Sequence, residues 1–246
     1  MMKSGPAPFS AVRSLFMALL MIFGCTDRGI LSADVARVPS SPLIEDSDPV
    51  TDHDGHVYRT VKIGGQVWMA ENLKVTHYRD GTAIPDVADD AAWSGLETGA
   101  LCWMDDDPAQ YKDVYGALYN YHAVADRRGL SPAGWHVPAI EEWRILEQYL
   151  GGKDTAGGKM KDKVSHLWRA VLPGADNSSG FSAVPAGGRG RFGSPGEAGY
   201  YATWWAATSH DADFAWHWGL HPDRANIRSN PGHKASGFSV RCVKDR

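Results

Sequence analysis

Asp54-Gly-His-Val-Tyr-Arg-Thr-Val-Lys-Ile-Gly-Gly-Gln-Val-Trp-Met-Ala-Glu-Asn-Leu73 is the stretch that sets the architecture of this 246-residue chain. Val57, Arg59, Val61 and Ile63 alternate with Tyr58, Thr60 and Lys62, the period of a strand with two unlike faces. Gly64-Gly65 follows, and then Gln66-Val-Trp-Met69. A glycine pair between two β-prone runs predicts a tight hairpin, because both positions tolerate positive φ. Asp54-Gly55 and Asp80-Gly81 mark further turns beside it.

Outward from this hairpin, the clearest helix is expected over residues 140–150. Ile140, Trp143, Leu146 and Leu150 make one apolar stripe, Glu141 and Glu142 suit the positive end of the helix dipole, and Gly151-Gly152 stops it. Ala139 stands at the N-cap without a side-chain acceptor, which forgoes about 0.5–2 kcal/mol relative to Ser or Thr. In the last third, Phe214, Trp216, Trp218 and Leu220 alternate with Ala215, His217 and Gly219. His221-Pro-Asp223 is read as a turn, Ala225 to Arg228 as a return, and Ser229-Asn-Pro-Gly232 as a second turn. Gly237 to Val243 then closes the chain with Phe238, Val240 and Cys242 on one face. The succession predicts an α+β domain of short antiparallel strands with one or two helices. Trp68, Trp135, Trp143 and Val240 are assigned to its core, as are Trp216 and Trp218. A composition of 43% hydrophobic residues with Gly 27 and Pro 14 suits such a loop-rich domain. The formal net charge is −4 and no basic stripe occurs, which argues against a nucleic-acid partner.

Further stretches are Tyr115-Gly-Ala-Leu-Tyr-Asn-Tyr121, Pro132-Ala-Gly-Trp-His-Val-Pro138 with Glu142-Trp143, Tyr201-Ala-Thr-Trp-Trp205, and Gly237-Phe-Ser-Val-Arg-Cys242. With the opening stretch, they resemble in order the Fibrobacter succinogenes major paralogous domain family over residues 52–246. The resemblance implies a C-type-lectin-like fold whose terminal strands pair and whose loops carry binding, in an exported bacterial protein. Three positions depart from the family pattern. Ser131 stands where members usually carry Cys, Ala139 replaces the usual Ser or Thr, and Ala206-Ala207-Thr208-Ser209 replaces a Ser-Ser-Thr-Glu run.

At the N-terminus, Lys3 and Arg13 precede the apolar run Leu15–Phe23, too short to span a bilayer and suited to the core of a secretory signal. Ile22-Phe23-Gly24-Cys25 resembles a bacterial lipobox. The expected organisation is a signal peptide over 1–24, a lipidated Cys25 with a flexible tether over 25–51, and the domain over 52–246. The tether assignment rests on the mixed Pro, Ser, Asp and Glu of residues 38–49, which show no helical or strand period. The expected location is the bacterial cell envelope, at the outer membrane or cell surface, with lipid on Cys25 holding the protein to the membrane.

Chemistry is sparse in the remaining residues. Cys102 and Cys242 are left once Cys25 is lipidated; they pair, or they stand as two isolated thiols if a cysteine at 131 was the original mate of Cys242. His217 and His221 are four apart on a strand and turn, a spacing that does not bring them together as a metal pair. His136 is read as a hydrogen-bonded structural residue. Asp105-Asp106-Asp107 and Asp211-Ala-Asp213 carry oxygens that calcium favours, yet neither matches an EF-hand loop, and no metal or cofactor is expected. No nucleophile elbow, phosphate loop or dinucleotide fingerprint occurs, and Gly187-Gly-Arg-Gly-Arg191 is read as a turn between strands. The expectation is a non-catalytic binding or adhesion module for a glycan or a protein, using loops of the last third. Trp205, Arg189 and Asp211 are the candidate ligand contacts. The alternative is a structural envelope protein without a specific soluble ligand.

Overall fold

The structure is a computed structural model and describes residues 45–163, 166–169 and 174–246. Cys25, the signal run and the tether up to residue 44 lie outside the described residues.

Among the described residues, twelve strands and five α-helices follow in chain order. They are β1 (Glu45–Thr51), β2 (Val57–Ile63), β3 (Gln66–Met69), α1 (Asp90–Ser94), β4 (Leu101–Cys102), α2 (Pro108–Tyr115), β5 (Leu118–Tyr119) and α3 (Tyr121–Val124). After them come β6 (Trp135–His136), α4 (Ile140–Tyr149), α5 (Ala156–Met160), β7 (Gly188–Arg189), β8 (Pro195–Gly196), β9 (Ala202–Ser209), β10 (Phe214–Leu220), β11 (Ile227–His233) and β12 (Val243–Lys244). The expected α+β class holds, built on antiparallel pairs.

The predicted hairpin forms β2 and β3, with Ile63 opposite Gln66 and Gly64 at φ 60°. It lies inside a five-stranded sheet of order β1-β2-β3-β12-β6. Asp46, Val61, Trp68, Val243 and His136 form one continuous row across that sheet. The first described strand and the last therefore share a sheet, three strand spacings or roughly 14 Å apart. A second sheet, β11-β10-β9, is antiparallel throughout. Adjacent tryptophans of β9 point opposite ways, as strand geometry requires, and join different cores: Trp205 packs with Met69, Tyr119 and Val240, and Trp204 with Trp68, Trp143 and Trp218.

Helix α4 buries Ile140, Trp143 and Leu146, with Leu150 buried at its end. The Trp143 ring lies 4.9 Å from Trp68 and is stacked on Trp218 at 5.9 Å. The four predicted core residues, Trp68, Trp135, Trp143 and Val240, are all buried, as is Trp218, while Trp216 is half-buried against the same cluster. The missing cap at Ala139 is supplied from elsewhere. Glu142 reaches back to accept from the Ala139 amide at 2.9 Å, and Thr208 of β9 accepts from the Ile140 amide at 3.0 Å. His136 sits between Asp245 and Glu142, at 2.6 and 2.9 Å from their carboxylates. Burial opposes its protonation, but the two carboxylates outweigh that and raise its pKa, so its role is the structural one expected.

Three segments differ from expectation. Residues 45–51, read as the end of the tether, form β1 against β2 despite Pro49, which falls where the register slips between Ser47 and Val50. The domain thus begins before Asp52. Ser229-Asn-Pro-Gly232 is no turn but part of β11, an outer strand, where the missing amide of Pro231 removes no essential ladder bond. Gly237 to Cys242 forms isolated bridges at Gly237, Phe238 and Ser239 and no regular strand, and Ser239 and Arg241 are as enclosed as Val240 and Cys242. Arg241 donates to the carbonyls of Phe181 and Ser182 and, at 3.1 Å, to Asn72 Oδ1.

Candidate functional site

The three residues proposed as ligand contacts do not converge. Trp205 is fully buried, donates its indole hydrogen to the Tyr119 carbonyl at 2.8 Å, and packs against Phe238 at 4.5 Å. Arg189 is equally buried. Its guanidinium lies 4.5 Å over Trp93 and donates to the carbonyls of Val87 and Ala88 at 2.7 Å and to Asp90 at 2.6 Å. A further bond to the Gly193 carbonyl at 3.1 Å closes the hairpin on itself. Trp205 is sealed in the core and presents no face to a ligand, which corrects its assignment, whereas Arg189, buried and committed to these partners, is part of the lining of the groove described below. Asp211 is exposed, but its carboxylate accepts from the amides of Asp213 and Phe214 and from His210, forming the β9–β10 turn. The His210 contact and the two amides hold its pKa below the usual carboxylate range.

Cys102 and Cys242 are both free and buried, in separate core clusters. Burial pushes each thiol up to about 12, which leaves both protonated and poorly nucleophilic at neutral pH. The Cys242 thiol lies 3.2 Å from the Ser131 hydroxyl. Of the acidic turns, Asp107 caps α2 through the Gln110 amide at 3.1 Å. Among the described residues, no group of three His, Cys, Asp or Glu side chains is placed to hold a metal ion. His217 sits against Phe238, and His221 against Tyr201, so the two histidines stand apart as expected.

A groove of about 570 Å³ opens between the β7–β8 hairpin and the three-stranded sheet. Arg189, Ser194, Glu197, Tyr201, Thr203, Ser236 and Phe238 line it, and glycines 187, 188, 190 and 196 form its wall. The glycines are a steric requirement at one point: Gly187 has φ 66°, and a Cβ there would come within 2.1 Å of the Gly196 carbonyl oxygen. Glu197 is itself held at φ 66°, a conformation few non-glycine residues adopt, by two amides, Tyr200 and Tyr201, that donate to its carbonyl. Phe238 is half-buried, backed by Trp205 and His217. Tyr201 meets His221 edge-to-face at 4.9 Å, and the loop carrying His221 is clamped from below by Lys161, which donates to the His221 and Arg224 carbonyls. Burial pushes that lysine down to about 7. Sequence reading placed binding in this region but missed Glu197, Tyr201 and Phe238. The turn residues of 187–197 were the available signal; that Phe238 is shared between core and groove depends on packing alone.

Aromatic faces, four hydroxyls and one carboxylate in a single concavity can hold a flexible or polyhydroxylated ligand. A mixed α+β domain, its first and last described strands in one sheet and a groove beneath a glycine-rich hairpin, is the class these features define. The family model of the Fibrobacter succinogenes major domain matches residues 61–244, and the chain belongs to that family. No curated protein and no solved structure gives a match.

Proposed function

We propose that this chain is a lipid-anchored protein of the bacterial cell envelope whose domain binds a glycan or protein ligand without catalysing a reaction. The observation that carries the reading is the meeting of Tyr201 and Phe238 with Ser194, Thr203, Ser236 and Glu197 in one groove. Rigid aromatic faces give contact area at low entropic cost, and short hydroxyls adapt their hydrogen bonds to a ligand. The two protonated, buried thiols support the non-catalytic reading. A C-type-lectin-like fold is part of the proposal, supported by the first and last strands lying in one sheet and by the loop-bordered groove. The membrane attachment rests on the run ending at Gly24-Cys25. Among the described residues, no helix is long and apolar enough to cross a membrane.

Screening the full chain against a glycan array and against envelope proteins is the direct test. Tyr201→Ala and Glu197→Gln are expected to weaken a captured ligand about tenfold or more while leaving the melting temperature nearly unchanged. Retention of no ligand in either screen would favour a structural envelope role. Metabolic labelling with a fatty-acid probe is expected to mark the wild type and to fail on Cys25→Ser.

A further inference from the structure

Arg189 and Glu197 are the two charged residues that line the groove beneath the β7–β8 hairpin, and the fold treats them differently. The Arg189 guanidinium is sealed. Asp90 meets it at 2.6 Å, and the carbonyls of Val87, Ala88 and Gly193 take three more of its hydrogens. Ser194 donates to the other oxygen of Asp90 at 2.6 Å, so this pair is balanced within itself. The neighbouring cations Arg169 and Arg191 lie over the rings of Tyr200 and Phe192 instead. Glu197 is exposed, and among the described residues its carboxylate has no hydrogen bond and no ion pair.

A single exposed carboxylate is ordinarily just solvated. The company of Glu197 sets it apart. Tyr201 and Thr203 are alternate residues at the head of β9, so they share one face of the chain. Trp205, next on that face, backs Phe238 at 4.5 Å. The hydroxyls of Tyr201, Thr203 and Ser236 have no partner among the described residues, and none of the three is sealed from solvent. A hydroxyl accepts as readily as it donates, so these three fit a ligand of either charge or none. Glu197 decides the sign. A ligand that covers it strips its water: a neutral hydroxyl restores a hydrogen bond but not the charge, an anion adds repulsion, and a cation offsets both. Tyr201 and Phe238 act in the same direction, because the face of an aromatic ring is its negative side and attracts a cation within about 6 Å. A groove of about 570 Å³ has room for a long side chain that lays its apolar stem along such rings.

Given the binding role proposed above, on which this rests, we infer that the groove takes a lysine or arginine side chain of a protein ligand. The cationic head meets Glu197 and the stem runs along Tyr201 and Phe238.

The full chain labelled with ¹⁵N-tyrosine reports on the groove through the Tyr201 amide, whose resonance is assigned by its loss in Tyr201→Phe. Nα-acetyl-lysinamide and Nα-acetyl-argininamide are titrated to about 50 mM, well above a weak Kd of about 1 mM, with ionic strength held constant by sodium chloride. Nα-acetyl-norleucinamide, which has the lysine stem without the ammonium, and the methyl glycosides of glucose and N-acetylglucosamine are the neutral probes. A saturable shift with at least one cationic probe is expected, about tenfold or more tighter than with norleucinamide. Glu197→Gln should remove that advantage, and Glu147→Gln, a carboxylate of α4 outside the groove, should leave it unchanged. No saturable shift with either cation would overturn the inference, as would equal affinity for norleucinamide or full affinity in Glu197→Gln. Should the cations fail, a saturable shift with a glycoside would keep the groove as a binding site and make its ligand a glycan. A flat response to every probe would remove the groove as well.

Discussion

Ser131 holds its hydroxyl 3.2 Å from the Cys242 thiol, at the position where the resemblance implies a cysteine. A Ser131→Cys variant is expected to close a disulfide with Cys242 under oxidising conditions, after a shift of about 1 Å to reach bonding distance. Linking residues so far apart in sequence should add about 2–4 kcal/mol. A mass lower by about 2 Da, with a rise in melting temperature that reductant reverses, would establish it; Cys102, in another cluster, should remain free. His217 makes a different kind of demand. Burial pushes its pKa from 6.5 down to about 4, and its Nδ1 has no partner. Above pH 6.5 the imidazole is neutral in folded and unfolded chains alike and has no effect on stability. Below that, the unfolded chain takes up a proton that the folded one refuses, so stability falls as pH drops toward 4. The loss should reach about 2.5 kcal/mol by pH 4.5. His217→Phe retains a ring against Phe238 and Trp205 but cannot titrate, and its urea midpoint should fall less between pH 7 and pH 4.5. An unchanged pH dependence would assign the acid sensitivity to another group.

Helix α4 shows which parts of an element can be read locally. Its body followed from the stripe of Ile140, Trp143 and Leu146, because helical periodicity is written in consecutive residues. Its start at Ile140, with Ala139 at the N-cap, followed as well, but what caps it did not, since the acceptor for the Ile140 amide is Thr208, on a strand 68 residues away. Thr208→Val should remove that acceptor at nearly constant volume and cost about 1 kcal/mol, read as a lower urea midpoint with unchanged slope. The same division explains the other outcomes. The Gly64-Gly65 hairpin was legible because strand, turn and strand are contiguous. Pro231 was taken for a turn residue because only the sheet order makes β11 an outer strand. Arg189 looked like a solvent-facing residue of a glycine-rich loop, whereas the carbonyls that enclose it belong to Val87 and Ala88. The candidate groove was legible as a region, from its turn residues, and illegible as a set of side chains.

At the scale of the whole molecule, the row from Asp46 through Val61, Trp68 and Val243 to His136 ties the first described strand to the last. Composition placed the start of the domain at Asp52, because Pro49 and the acidic residues around it weaken any local strand signal. The pairing that orders residues 45–51 comes from β2, and β1 in turn covers an edge that would otherwise be open. A chain that starts at Asp52 should therefore be measurably weaker than one that starts at Ser41. The loss should be on the order of 2–5 kcal/mol, several ladder hydrogen bonds at roughly 1 kcal/mol each. The shorter chain should also self-associate more readily through the bared edge of β2, where Val57 is already exposed. Urea denaturation of both chains, with light scattering of the folded samples, measures the two effects separately. Equal midpoints would mean that β1 frays independently of the cooperative unit. A lower midpoint for the shorter chain would place the beginning of the domain at Glu45, seven residues ahead of where composition alone sets it.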